Sequence, residues 1–350
     1  MITKKYFGKM ISGAEVYQYT LENESGANVK ILTLGGILRS INVPDKNGVL
    51  ADVVCGYDDV NSYLTCGGYQ GALIGRFGNR IKSSKFILDG VEYKLYNNEK
   101  ANHLHGGKEG FDKKIWDAKS YQIDDTMYLE LSYFSPDMEE GYPGNLSVKV
   151  TYSFDNNCAL GINYKATTDK KTVLNLTNHA YFNLGGYNSG KVENHTLWID
   201  ANKVSEVDSE LIPTGNNIDV CGTPFDFTAE KLIGKDIEAN DALLRLGQGY
   251  DHNFVLNSDS TIKLSASLKD TVSGRKMDMY TNQPCVQIYA ANCINEDDAP
   301  FKGGVAQIKR CAVCLETQHA PDSPNQKDFP SCELDVGELY DYTTVYKFYN

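Results

Sequence analysis

Two residues of this chain could exchange protons with a substrate, and they lie far apart in sequence. His179 sits in Thr172-Val-Leu-Asn-Leu-Thr-Asn-His-Ala-Tyr-Phe-Asn-Leu-Gly-Gly186, and Glu316 in Lys309-Arg-Cys-Ala-Val-Cys-Leu-Glu-Thr-Gln318. Glu316 falls near the end of an apolar run, on a face with Ala312 and Cys314, so a partly desolvated carboxylate with a raised pKa is expected. That environment suits a general base, while a histidine near its reference pKa can give or take a proton at neutral pH. Each residue also has a plainer explanation. His179 could be an ordinary strand histidine bonded to a neighbour, and Glu316 a surface carboxylate at a strand end.

Other polar groups could hold a ligand for such a pair. Asn79 and Arg80 are adjacent after Gly75 and Gly78, and an amide beside a guanidinium fork can grip hydroxyls or carboxylates. A loop arginine tied to a surface carboxylate would look the same. The Walker spacing and a following helix are missing, which argues against a phosphate cradle. His103 and His105 would share a strand face and could chelate a metal, but further ligands at a matching spacing are missing and a structural zinc is not expected. Gly106 and Gly107 read better as a turn that presents His105. Asp251 stands at the mouth of a strand, where it could accept a hydroxyl. Gln287 and Tyr289 fall on one strand face, an amide beside a flat ring, which is a pairing that suits sugars. Cys311 and Cys314 form a CxxC, but strand residues three apart point to opposite faces, so no redox or metal role is expected.

The elements that must position these groups are strands. Within 172–186, Leu174, Leu176, Ala180, Phe182 and Leu184 fall on one side of a strand, and Val173, Asn175, Thr177, His179 and Tyr181 on the other. The polar side is expected to line a cleft or face water. Further strands are predicted over 28–41 with a bend at Gly35-Gly36, and over 86–95 as a hairpin turning at Asp89-Gly90. Others follow over 126–134, 145–154, 160–166, 195–201, 253–256, 262–266, 276–281, 286–290 and 312–316, with a last run near Val345. Helices are short: 240–247 with an Asn240 cap and a terminating Gly247, and a turn or two over 58–64. No linker, repeat or low-complexity tract divides the chain, so one all-β domain spanning 1–350, a large antiparallel β-sandwich, is expected.

Composition narrows the function classes. The net charge is -12 with no Lys/Arg-rich run, which argues against nucleic acid or an anionic membrane as partner. The early lysines are followed by no apolar signal region, and no stretch approaches a membrane span. Nine cysteines at 55, 66, 158, 221, 285, 293, 311, 314 and 332 follow no disulfide framework and suit free thiols. A soluble cytoplasmic protein is expected.

Six clusters taken together resemble the aldose 1-epimerase (galactose mutarotase) family: Gly75-Arg-x-x-Asn-Arg80, Leu104-His-Gly-Gly107, Thr177-Asn-His-Ala-Tyr-Phe-Asn-Leu184, Tyr250-Asp-His-Asn-Phe254, Gln283-Pro-x-Val-Gln287 and Cys314-Leu-Glu-Thr-Gln318. They occur in the family's order, and the similarity extends from about Gly13 to Tyr349. The resemblance implies a single β-sandwich domain, no metal or organic cofactor, and exchange of the α and β anomers of free hexoses such as galactose and glucose. It implies Glu316 as catalytic base and His179 as acid, with Asn79, Arg80, His105, Asp251 and Gln287 binding the sugar, in a monomer or homodimer. The chain departs from the family pattern over 308–313 and at Ile288, where an aromatic is common, and these positions bear on the shape of the sugar pocket.

Two further classes fit parts of this pattern. A carbohydrate-binding module would need the sugar-binding groups but not the acid/base pair. A glycosidase would need two carboxylates, for which Asp251 and Glu316 are the available pair. A mutarotase for hexose 6-phosphates would need an additional basic cluster, which the sequence does not offer.

Overall fold

The computed structural model describes all 350 residues, and its regular secondary structure is almost entirely antiparallel strand. Three sheets dominate. The first has five strands in chain order from Ile2–Lys9 to Leu50–Asp52. The second has nine, including Thr126–Ser135, Leu146–Phe154, Ala159–Thr168 and the C-terminal Tyr340–Tyr349. The third has six, in the spatial order Tyr181–Phe182, Val313–Gln318, Cys285–Tyr289, Asp251–Val255, Lys203–Val207 and Pro213–Asp219.

Alternation of side chains explains how the sheets stack. In Leu146–Phe154 the residues Leu146, Val148, Val150, Tyr152 and Phe154 are buried while those between are more open, so this sheet has one wet face, as the period-two pattern predicts. Its inner face shares a core of 57 buried residues with the other two sheets. The Tyr346 hydroxyl donates to Leu315 O at 2.8 Å, and the Tyr152 hydroxyl to Gly36 O at 2.7 Å, pinning the layers to each other. The six-stranded sheet is buried on both faces near its centre: all of Val313–Gln318 is buried. Val313 and Leu315 enter the large core, and Cys314 and Glu316 point to the opposite side.

Most predicted strands are present, including the hairpin at Asp89 and Gly90, both with positive φ. The stretch 172–186 differs. It is not one strand but three two-residue pieces, Thr172–Val173, Thr177–Asn178 and Tyr181–Phe182, each pairing in a different sheet, and both of its sides are buried. Its asparagines cause this, because their amides replace ladder bonds: Asn175 donates to Gly78 O and His319 O, Asn178 to Gly71 O, and Asn183 to Cys311 O. The second short helix, Ala242–Gly247, is capped by Asp241 rather than Asn240. Asp241 Oδ1 accepts from Leu243 N and Leu244 N, while the Asn240 side chain bonds Arg245; the left-handed residue that ends the helix is Gln248, not Gly247. The first short helix, Val60–Thr65, is capped by Asp59.

Candidate active site

Strand register assembles the site. Glu316 is the direct cross-strand partner of Gln287, Gln287 of Asn253, and Tyr289 of both Cys314 and Asp251. Alternation puts Gln287, Tyr289 and Glu316 on one face, and they line a cavity of about 350 Å³. That volume is within the range of small-molecule pockets. Ile288 points the other way into the main core, and residues 308–313 do not line the cavity, so neither departure from the family pattern shapes it directly.

His179 reaches the cavity from a different direction. Its N–H donates to Ala72 O and its carbonyl accepts from Gly71 N, both at 2.9 Å, which fixes the backbone on both sides. Its Nε2 lies 3.5 Å from Glu316 Oε1. Tyr181 stacks on the imidazole at 5.0 Å, and Tyr69 and Tyr289 flank it. His179 is 5 % exposed and Glu316 1 %.

A second loop pair brings in Asn79, Arg80 and His105. Arg80–Ile81 pairs with His103–Leu104, and Gly106 fits against Gly75 so closely that a Cβ there would lie 1.8 Å from Gly75 O. His105 has a positive φ, so it does not share a strand face with His103. His103 is instead held in the structure by Tyr96 O at 2.7 Å and the Tyr142 hydroxyl at 2.6 Å. His105 Nδ1 accepts the Asn79 N–H at 3.1 Å. The neutral ring therefore carries its proton on Nε2 and offers a donor to the cavity. His105, His179 and Glu316 bring donor atoms within 4.8 Å of one another, a grouping that could hold a metal, but that tautomer makes His105 Nε2 a donor rather than a ligand.

Arg80 is both a cavity residue and an arginine tied to a carboxylate. Its Nε and Nη2 donate to the two oxygens of Glu99 at 2.7 and 2.8 Å, which leaves Nη1 without a protein partner. Gln287 Nε2 donates to Asp251 Oδ1 at 2.7 Å. Gln287 Oε1 and Glu316 Oε2, on two residues that line the cavity, are buried with no hydrogen-bond partner.

The electrostatics follow from burial. Glu316 is pushed well above the usual carboxylate range by desolvation and by the nearby Asp251 charge, with Arg80 opposing. His179 is pulled down to about 4, again by burial, so it does not sit near its reference value as the sequence suggested. Burial likewise holds His105 well below the ordinary histidine value. Burial pulls the Arg80 pKa down, but Glu99 and Asp251 outweigh it, and the net direction is upward. Burial therefore disfavours the charged form of both His179 and Glu316.

All seven residues singled out from the sequence line this one cavity. Sequence reasoning passed over Tyr69, Glu99, Glu210 and Gln248, which also line it. Tyr181 was legible as the strand neighbour of His179; the others lie on loops whose approach only tertiary packing decides. Cys311 and Cys314 do not point apart as expected, because Cys311 precedes the strand and both pack in one apolar cluster with Cys55. All nine cysteines are unpaired, and no helix is long and apolar enough to cross a membrane.

Comparison with known proteins agrees with this architecture. The crystal structure of galactose 1-epimerase from Lactobacillus acidophilus NCFM superposes with a TM-score of 0.87 at 27% identity, covering 100% of this chain and 98% of that one. A GalM/aldose epimerase homologue from C. elegans gives 0.86 at 29%, covering 95% and 98%. The class is therefore an all-β, galactose mutarotase-like protein. The family description "Aldose 1-epimerase" matches residues 17–347. Galactose mutarotase of Bos taurus is 40% identical over 99% of this chain and 98% of its own length, and aldose 1-epimerase of Escherichia coli K12 is 35% identical over 94% of each. The chain belongs to the aldose 1-epimerase family and is an isomerase of that class.

Proposed function

We propose that the chain interconverts the α and β anomers of free hexoses such as galactose and glucose, with Glu316 as base and His179 as acid. The observation that carries this reading is the 3.5 Å approach of His179 Nε2 to Glu316 Oε1 inside a hexose-sized, polar cavity. Anomer exchange opens a hemiacetal: the C1 hydroxyl must lose a proton and the ring oxygen O5 must gain one. Glu316 takes the C1–OH proton as C1=O1 forms and C1–O5 breaks, while the imidazolium of His179 protonates O5. The C1–C2 bond then rotates, and the same transfers run backwards on the other carbonyl face. One proton is enough for the whole cycle. It rides on His179 while the ring is closed and on Glu316 while it is open.

Each transfer contributes roughly two to four decades of rate. Burial of both groups favours the uncharged arrangement, the one the open-chain stage requires, so charge separation is stabilised by the substrate and the donors around it. Asn79, Arg80, His105, Asp251 and Gln287 hold the remaining hydroxyls; the unpaired Gln287 Oε1, the free Arg80 Nη1 and the fixed Nε2–H of His105 support these roles. The chemistry moves only protons and calls for no cofactor. We further propose that residues 1–350 act as one catalytic domain in the cytoplasm, as a monomer or homodimer; the unpaired thiols support a reducing compartment.

Polarimetry on freshly dissolved α-galactose tests the reading. Catalysed relaxation above the solvent rate supports it, whereas sugar binding without any acceleration would leave a carbohydrate-binding module. Release of reducing sugar from a glycoside would point to the pair Asp251 and Glu316 acting as a glycosidase.

A further inference from the structure

The environment of His179 on the side away from Glu316 holds a residue that the proposed chemistry has not yet used. Cys314 Sγ lies 3.5 Å from His179 Nδ1, and both atoms are buried. Cys314 stands two residues before Glu316 on the same strand and the same face, so one strand contacts the acid and supplies the base. It is also the register partner of Tyr181 and Tyr289, whose rings pack on the imidazole.

We propose that Cys314 is a positioning residue that fixes the tautomer of His179, its sulfur accepting from Nδ1–H so that Nε2 alone exchanges the proton with O5. This rests on the assignment of His179 as the acid. The argument starts from reversibility: the nitrogen that protonates O5 on opening must take that proton back on closing. Nδ1 must then keep its own proton throughout, which requires an acceptor beside it. A thiol sulfur supplies one without a charge, since burial pushes the Cys314 thiol well above its ordinary pKa and keeps it protonated. The choice of a weak acceptor has a chemical consequence. A carboxylate at Nδ1 would stabilise the imidazolium and make it a poorer acid, whereas sulfur stabilises it little. An ether oxygen is a weak base, and a strong imidazolium acid suits it.

Histidine ¹⁵N chemical shifts of the whole protein at neutral pH, with the His179 signal assigned from its loss in His179→Asn, read the tautomer without reference to activity. The expected result is Nδ1–H in the unsubstituted protein, a shift toward Nε2–H in Cys314→Ala, and Nδ1–H retained in Cys314→Ser. For galactose, Cys314→Ala should lose about tenfold in kcat with KM within about twofold, and Cys314→Ser should recover most of it. An Nε2–H tautomer in the unsubstituted protein overturns the proposal. So does a Cys314→Ala protein that loses kcat with its tautomer unchanged, since that is packing alone. Full activity in His179→Asn would instead remove the acid assignment while the tautomer measurement still stood.

Discussion

His179 Nε2 and Glu316 Oε1 face each other across 3.5 Å from two separately anchored backbones. Glu316 is fixed by its ladder with Gln287, and His179 by bonds to Gly71 and Ala72. If one proton shuttles between these groups through the sugar, Glu316→Gln and His179→Asn should each lower kcat by about 100-fold or more while galactose affinity changes little. The double variant should be scarcely worse than either single one, because the groups act as a unit. Polarimetry and calorimetric titration check this, and wild-type rates in either single variant reject the roles.

The pH profile should carry the mark of burial. The working state holds one proton on the pair. It is lost at low pH when His179 also protonates, at about 4, and at high pH when Glu316 gives up its raised-pKa proton. Solvated groups at reference values would place that window below neutrality. On the acid side the expected kcat/KM, corrected for the solvent reaction, therefore falls only as the pH approaches about 4. A descent that begins near 6.5 would mean that His179 is not desolvated.

Arg80 is held by Glu99 through Nε and Nη2, and its Nη1 has no protein partner. Arg80→Lys loses the fork and should raise KM about tenfold, and Glu99→Gln, which keeps the shape but not the charge, about threefold. Both should leave kcat near its original value. A fall in kcat at constant KM would show instead that Arg80 acts on charge developing at O5.

Acid stability should be governed by buried neutral histidines. His103, His179, His195, His252 and His319 are each pulled down from 6.5 to about 4 by burial. Below pH 6.5 the unfolded chain binds protons that the folded one refuses, so stability is lost as pH falls, by roughly 1 kcal/mol per pH unit for each group. Glu316, Asp112 and Asp322, whose pKa values are raised, act in the opposite sense but are fewer. Urea midpoints should drop steeply from pH 6.5 to 4; a flat profile would contradict the burial of these rings.

The sequence carried the strands and the chemistry further than the connections between them. Hairpins such as the one predicted over 86–95 and alternating strands such as Leu146–Phe154 are local signals, and they are legible because each is decided within a few residues. The segment around His179 is not, since its asparagines bond to loops remote in sequence and break one apparent strand among three sheets. Likewise the two histidines near Asn102 look like a matched pair until the positive φ of His105 separates them, one bound by Tyr142 and the other facing the cavity.

The double burial of the strand Val313–Gln318 bears on how such a protein can be altered. Any change at Leu315 or Thr317 disturbs buried packing, and any change at Cys314 or Glu316 alters the buried side that meets His179, so this strand offers a protein engineer no neutral position. The rim of the cavity, at Glu210, Leu211 and Gln248, belongs to connecting segments. Tailoring the enzyme toward another aldose is therefore a task for those segments, where libraries can vary shape without remaking the frame.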